Sequence, residues 1–204
     1  MRRIGLDFDN TMICYDGVFL SAAKDRGLVS TDFVGSKQQI RDAIRLRPDG
    51  ETDWQRLQGY VYGRGLDRAE AFEGLGAFLR RARSAGDAVV VISHKTEFGH
   101  LDPERVNLRQ AALAWMKAEG LFEGDGSAGL VGTVFFEGTR IEKLRRIAST
   151  GCDIFVDDLE EVLADPDFPA GVERILFSQR PSPAIEAPHT VCPNWAAVEE
   201  ILFA

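Results

Sequence analysis

The sequence predicts an α/β fold: a parallel sheet with helices over both faces, three layers in all, and a small helical segment inserted after the first strand. Three observations predict it. Short apolar, β-branched runs recur with amphipathic helical patterns between them. The runs are apolar throughout, as in Ala88-Val89-Val90-Val91-Ile92, and continuous apolarity means burial on both faces rather than one. About eighty residues separate the first run from the second, where a minimal crossover needs only a dozen or so. The 204 residues suit one core plus a modest insertion, and are too few for two full catalytic domains.

The predicted strands are Arg3 to Phe8, Ala88 to Ser93, Thr133 to Glu137, Asp153 to Asp157 and Arg174 to Ser178, with Thr190 to Cys192 as a short edge strand. Caps and stripes mark the helices. Phe72, Leu75, Leu79 and Ala82 form one buried stripe closed by Gly86. Asp102-Pro103 reads as an N-cap and first turn before Leu108, Ala111, Ala112 and Trp115. Thr139 with Glu142 is a capping box, and Ile141, Leu144 and Ala148 are the expected inward stripe behind it. Asn194 caps a last helix that packs through Trp195, Val198, Ile201 and Leu202. Residues 18–68 read as a helical cap, with Ser36 and Gln39 as a second capping box and Trp54, Leu57 and Val61 as a stripe. The expected division is therefore 1–17 with 69–204 as the core and 18–68 as the insertion. Gly124 to Gly132 reads as a flexible connection.

Composition narrows the function. With 45% hydrophobic and 27% charged residues, the chain has a soluble globular composition, and its apolar runs fall short of a bilayer span. The net charge of −8 repels a nucleic-acid backbone, so neither nucleic acid nor membrane is an expected partner. Cys14, Cys152 and Cys192 are odd in number and lack C-x-x-C spacing, so reduced core thiols are expected. The Met-Arg-Arg start leads directly into a strand pattern with no export signal, and a cytoplasmic location is expected.

Chemistry concentrates in two acidic pairs. The first predicted strand ends Leu6-Asp7-Phe8-Asp9-Asn10-Thr11, and residues two apart on an extended segment face the same way, so Asp7 and Asp9 point together beyond its carboxyl edge. In an open α/β sheet, ligands bind at that edge. Two crowded carboxylates repel unless a cation binds between them or one keeps its proton. Magnesium would hold Asp7 ionised as a nucleophile, while a protonated Asp9 could donate to a leaving oxygen and later take a proton from water. The second pair, Asp157-Asp158, ends another predicted strand, and Ser93 and Lys143 offer a hydroxyl and a cation for phosphoryl oxygens.

These residues resemble the haloacid dehalogenase-like (HAD) superfamily, on its phosphatase branch. Asp7-Phe8-Asp9-Asn10-Thr11 matches its D-x-D-x-T motif, Ser93 the hydroxyl of the second motif, Lys143 the lysine of the third, and Asp157-Asp158 the acidic fourth. The resemblance spans nearly the whole core. It implies a Rossmann-like fold and a Mg2+-dependent hydrolase in which Asp7 forms an aspartyl-phosphate, Asp9 acts as acid then base, and Ser93 and Lys143 orient the transferring group. Magnesium would be held by Asp7, by the Asp9 backbone carbonyl, and by Asp157 or Asp158. Thr11, His94 and Lys95 are further candidate substrate contacts, and Lys95 competes with Lys143 for phosphate; the helix-start position favours Lys143.

Plainer readings stand beside these. Asp158 could be only a helix N-cap. His94 and His100, without a third nitrogen or sulfur ligand, are not a zinc pattern. Lys37, Arg41 and Arg45 read as a solvated stripe that could also meet an anionic substrate, and Trp54, Tyr60 and Tyr62 as cap core. The expected substrate is a small phosphorylated metabolite such as a sugar phosphate or nucleotide monophosphate. A non-catalytic phosphometabolite-binding regulator is the alternative, with a phosphotransferase or a dehalogenase behind it.

Overall fold

The computed structural model describes residues 1–124, 129–179 and 188–204. In chain order the elements are β1 (Arg3–Leu6), β2 (Ile13–Cys14), α1 (Asp16–Asp25), α2 (Lys37–Arg45), α3 (Gly50–Tyr62), a 3-10 turn (Leu66–Arg68), β3 (Glu70–Ala71), α4 (Leu75–Ser84), β4 (Ala88–His94), α5 (Leu108–Ala118), β5 (Thr133–Glu137), α6 (Arg140–Thr150), β6 (Ile154–Asp157), α7 (Glu160–Leu163), β7 (Glu173–Phe177), β8 (Thr190–Cys192) and α8 (Trp195–Phe203). Part of the expected Gly124 to Gly132 connection, residues 125–128, lies outside the described residues.

Two units divide the chain. Met1–Ile13, Ala71–Lys95 and Met116–Ala204 make the first, and Cys14–Glu70 with Thr96–Trp115 make the second. The segment 96–115, which the sequence pattern places with the core, packs instead with the helical insertion. Trp115 explains part of this, because its indole N–H donates to the Ala69 carbonyl at 2.9 Å.

The first unit is built on a six-stranded sheet in the order β5-β4-β1-β6-β7-β8, each pair parallel. Its strands are apolar on both faces because both are covered. On one side Val90, Ile92 and Phe155 pack with Leu144 and Ile147 of α6 and Val162 and Leu163 of α7. Helices α4 and α8 pack against each other, and the Phe78 and Trp195 rings meet at 4.7 Å. Gly5, on β1, sits where a side chain has no room: an added Cβ would lie 2.9 Å from Cys152 Sγ and would clash with the Phe155 ring.

Helices α5, α6 and α8 depart from expectation. In α6 the buried face is Lys143, Leu144 and Ile147, while Ile141 is exposed and so is Ala148. Periodicity alone assigns a lysine outward, but two buried carboxylates draw Lys143 inward and turn the helix with it. Helix α5 starts at Leu108, not after Asp102, because the Asp102 carboxylate accepts from the backbone N–H groups of Glu104 and Val106 and closes a separate turn. Asn107 then caps the helix, accepting from Arg109 and Gln110 N–H. At the other caps, Ser36 and Gln39 form a reciprocal box and Asn194 accepts from Ala197 N–H; Thr139 accepts from Glu142 N–H, but the Glu142 carboxylate accepts from Gly138 N–H and the Thr139 hydroxyl, so the expected box is not reciprocal. Ile201, expected inside, is exposed.

Within the second unit Phe19 stacks on Trp54 at 5.1 Å and meets the Tyr62 ring edge-on at 5.7 Å, so these aromatics are core. Arg41 pairs with Asp42 and Arg45 with Glu51, whereas the half-buried Lys37 places its ammonium 5.3 Å from the Phe19 and Tyr62 ring centres. All three cysteines are free thiols, and burial pushes Cys192 up to about 11. No helix among the described residues is long and apolar enough to cross a membrane.

Candidate active site

Sheet order decides where the acids meet. Strand β1 lies between β4 and β6, with Leu6 level with Val91 on one side and Val156 on the other. The residues that follow at each carboxyl end therefore arrive side by side: Asp7 after β1, Ser93 to Lys95 at the end of β4, and Asp157-Asp158 at the end of β6. Asp7 N–H still donates to the Val156 carbonyl at 2.9 Å, which fixes the first acid beside the fourth motif. The chain then folds back at once. Asn10 N–H donates to the Ile13 carbonyl and Met12 N–H to the Phe8 carbonyl, and Asn10 takes a φ of 58°, a left-handed conformation that asparagine adopts more readily than most residues. That turn ends β1 earlier than its apolar run suggests.

Lys143 sits at the centre of the cluster. Its ammonium donates to Asp7 Oδ1 and to Asp157 Oδ2, both at 2.6 Å, and all three side chains are buried. Burial opposes the charge on Lys143, but Asp157 and then Asp7 outweigh it and hold the lysine well above its ordinary range. One ammonium between two carboxylates leaves a net negative charge. Accordingly burial, then Asp157 and Asp9, push the Asp7 carboxyl up to about 7 against the pull of Lys143. A divalent cation is the natural complement. Ligand oxygens of Asp7, Asp157 and Asp158 lie within 4.8 Å of one another, and an all-carboxylate donor set fits a hard cation such as Mg2+.

The two acids of the second pair differ. Asp157 is fully buried, with Oδ1 accepting from Leu159 N–H at 2.9 Å and Oδ2 from Lys143. Asp158 is half-buried and lines a cavity of about 430 Å³ together with Asp7, Asp9, Ser93, His94 and Lys143. Ser93 Oγ is buried and has no hydrogen-bond partner among the described residues, and leaving such a hydroxyl unsatisfied costs about 1–3 kcal/mol.

Two of the three further expected contacts, Lys95 and Thr11, fall elsewhere. Lys95 does not line the cavity; its ammonium donates to Asp9 Oδ1 and Oδ2 at 2.8 and 2.9 Å. The Asp9 carboxylate is accordingly outside the metal-competent cluster. Thr11 is fully buried and does not line the cavity either. His94 lines it, and its Nε2 lies 3.0 Å from the Gly138 carbonyl, so that nitrogen is the donor. The cavity also includes Asn10, Arg140 and Glu161, which the motifs do not single out. Arg140 was within reach of sequence reasoning, because it precedes Lys143 by three residues and so shares its helix face. A larger cavity, about 570 Å³, lies within the second unit and holds none of these acids.

No protein-family model matches the sequence, and no curated protein matches it. Solved structures do match. The fold is the haloacid dehalogenase-like fold. YfnB of Bacillus subtilis, described as a HAD-hydrolase bound to magnesium, superposes with a TM-score of 0.62 at 10% identity over 100% of this chain and 99% of its own. A predicted phosphoglycolate phosphatase from Haemophilus somnus gives 0.56 at 15% identity, covering 99% and 98%. An L-2-haloacid dehalogenase gives 0.61 at 13% identity, covering 100% and 99%. The HAD-like fold thus carries at least two chemistries among these neighbours, and the choice between them rests on the site.

Proposed function

We propose that the chain is a Mg2+-dependent phosphomonoester hydrolase acting on a small phosphorylated metabolite, a sugar phosphate or nucleotide monophosphate. The observation that carries this reading is the separation of two acids that are neighbours in sequence. Asp7 is locked with Lys143, Asp157 and Asp158 in a cation-competent cluster, while Asp9 stands outside it on the same cavity. A dehalogenase needs a carboxylate nucleophile but neither a second acid to protonate a leaving oxygen nor a divalent ion. The second acid on the cavity and the cation-competent cluster both favour phosphoryl transfer.

In this reading Asp7 attacks phosphorus, the bond to the leaving oxygen breaks, and Asp9 delivers a proton to that oxygen. Water then attacks the phosphorus of the aspartyl-phosphate, Asp9 takes its proton, and inorganic phosphate leaves Asp7 free. Lys143 offsets charge on the phosphoryl oxygens, and the Ser93 hydroxyl finds in one of them the partner it lacks. Asp7, Asp158 and the Asp9 backbone carbonyl would hold Mg2+, with Asp157 behind them fixing Lys143. When bound, the ion neutralises phosphoryl charge and keeps Asp7 ionised.

Hydrolysis of 4-nitrophenyl phosphate tests the reading. Turnover should require Mg2+, stop with EDTA, and vanish in Asp7→Asn while the circular dichroism spectrum is unchanged. Turnover unaffected by that substitution would refute it, and halide release from a haloacid in EDTA would put dehalogenation in its place. Tight phosphate-ester binding without release over hours would favour a regulatory role.

A further inference from the structure

We propose that Lys95 is a positioning residue for Asp9: its ammonium holds the Asp9 carboxyl in the orientation from which that acid serves the leaving oxygen. The inference rests on the phosphatase reading above. Its basis is a division of labour between two buried lysines at one sheet edge. Lys143 bonds Asp7 and Asp157, while Lys95 bonds both oxygens of Asp9.

Lysine is almost never fully buried unless paired, and the Lys95 side chain is 3% exposed against 23% for its partner. The pair is closed on the protein side and open on the cavity side, because Asp9 lines the cavity and Lys95 does not. Lys95 is itself well fixed. Its N–H donates to the Glu137 carbonyl at 3.0 Å, which pins the backbone just past β4, and its ammonium lies 5.2 Å from the centre of the Phe8 ring, a favourable cation–π distance. The ion pair is not what holds the Asp9 turn. The Asn10-to-Ile13 and Met12-to-Phe8 backbone hydrogen bonds do that, so what Lys95 adds is the direction of one carboxyl group.

A misplaced general acid costs most when the leaving oxygen is a strong base and little when it leaves readily. Phenyl phosphate and 4-nitrophenyl phosphate are near-equal in size and differ in that respect, so they separate the two situations. In Lys95→Met, kcat for phenyl phosphate should fall about 10²-fold, kcat for 4-nitrophenyl phosphate far less, and KM for both should stay close to wild type. Lys95→Met with Asp9→Asn should be no slower than Asp9→Asn alone, since both act on one step. Equal losses on the two esters, a raised KM with kcat unchanged, or additive losses would each overturn the proposal.

The phosphatase reading fails separately, by wild-type turnover that survives Asp7→Asn or by no turnover of either ester. In that case crystal structures decide: an Asp9 carboxyl displaced in Lys95→Met supports the positioning role, and an unmoved one refutes it. Should Lys95→Met not fold, Lys95→Gln takes its place, and failure of both to fold assigns Lys95 to stability and overturns the proposal.

Discussion

Replacing Lys143 by methionine keeps a long unbranched side chain and removes the one charge that two buried acids share. In the wild-type protein the ammonium is 2.6 Å from Asp7 Oδ1 and from Asp157 Oδ2, with Asp157 fully buried. Breaking a buried pair by deleting one partner costs about 3–5 kcal/mol, because the other charge is left uncompensated. At about 2–4 °C per kcal/mol for a domain of this size, the melting temperature of the metal-free variant should fall by roughly 6–20 °C. Differential scanning calorimetry in EDTA measures it. Millimolar Mg2+ should recover more in the variant than it adds to wild type, since the cluster then carries one more negative charge. Activity should not return with stability, because a lost transition-state donor costs about 10²–10³-fold. A melting temperature within about 2 °C of wild type, with no differential Mg2+ effect, would show that Lys143 does not bridge the acids.

Two further outcomes follow from the same structure. Burial and the neighbouring acids raise Asp7 to about 7, so the metal-free folded state holds a proton that the unfolded chain has released; stability should decline as pH rises from about 4 to 7. Chemical denaturation across that window should show the decline in wild type and lose it in Asp7→Asn or in saturating Mg2+. Gly5→Val should destabilise by about 1–3 kcal/mol through overpacking against Phe155 and Cys152, a loss read in urea melts; a neutral result would mean that β1 and β6 are not as closely apposed as described.

Much of this was legible in the sequence, and the exceptions have physical causes. The central strand runs β1, β4 and β6 were readable because they are buried between two helical layers, which leaves no polar alternation to confuse them. The acidic tips were readable because they follow those runs directly. The face of α6 was not, since a helical pattern counts Lys143 as polar and cannot know that Asp7 and Asp157 wait inside. Likewise the role of Lys95 depends on a partner 86 residues away, and a long-range ion pair leaves no periodicity in the chain. The start of α5 was misplaced because Asp102 satisfies two backbone N–H groups in a turn, the same chemistry by which it would cap a helix. The packing of 96–115 with the insertion was hidden for a similar reason, since the Trp115 stripe is amphipathic whichever unit it covers.

The most direct measurement is a rapid acid quench of the wild-type protein during turnover of a phosphate ester in Mg2+, followed by peptide mass spectrometry. One added phosphoryl group should appear on the peptide carrying Asp7 before free phosphate does, and should be absent from Asp7→Asn. Steady hydrolysis with no phosphorylated Asp7 at any quench time, or a phosphoryl group on another residue, would contradict it.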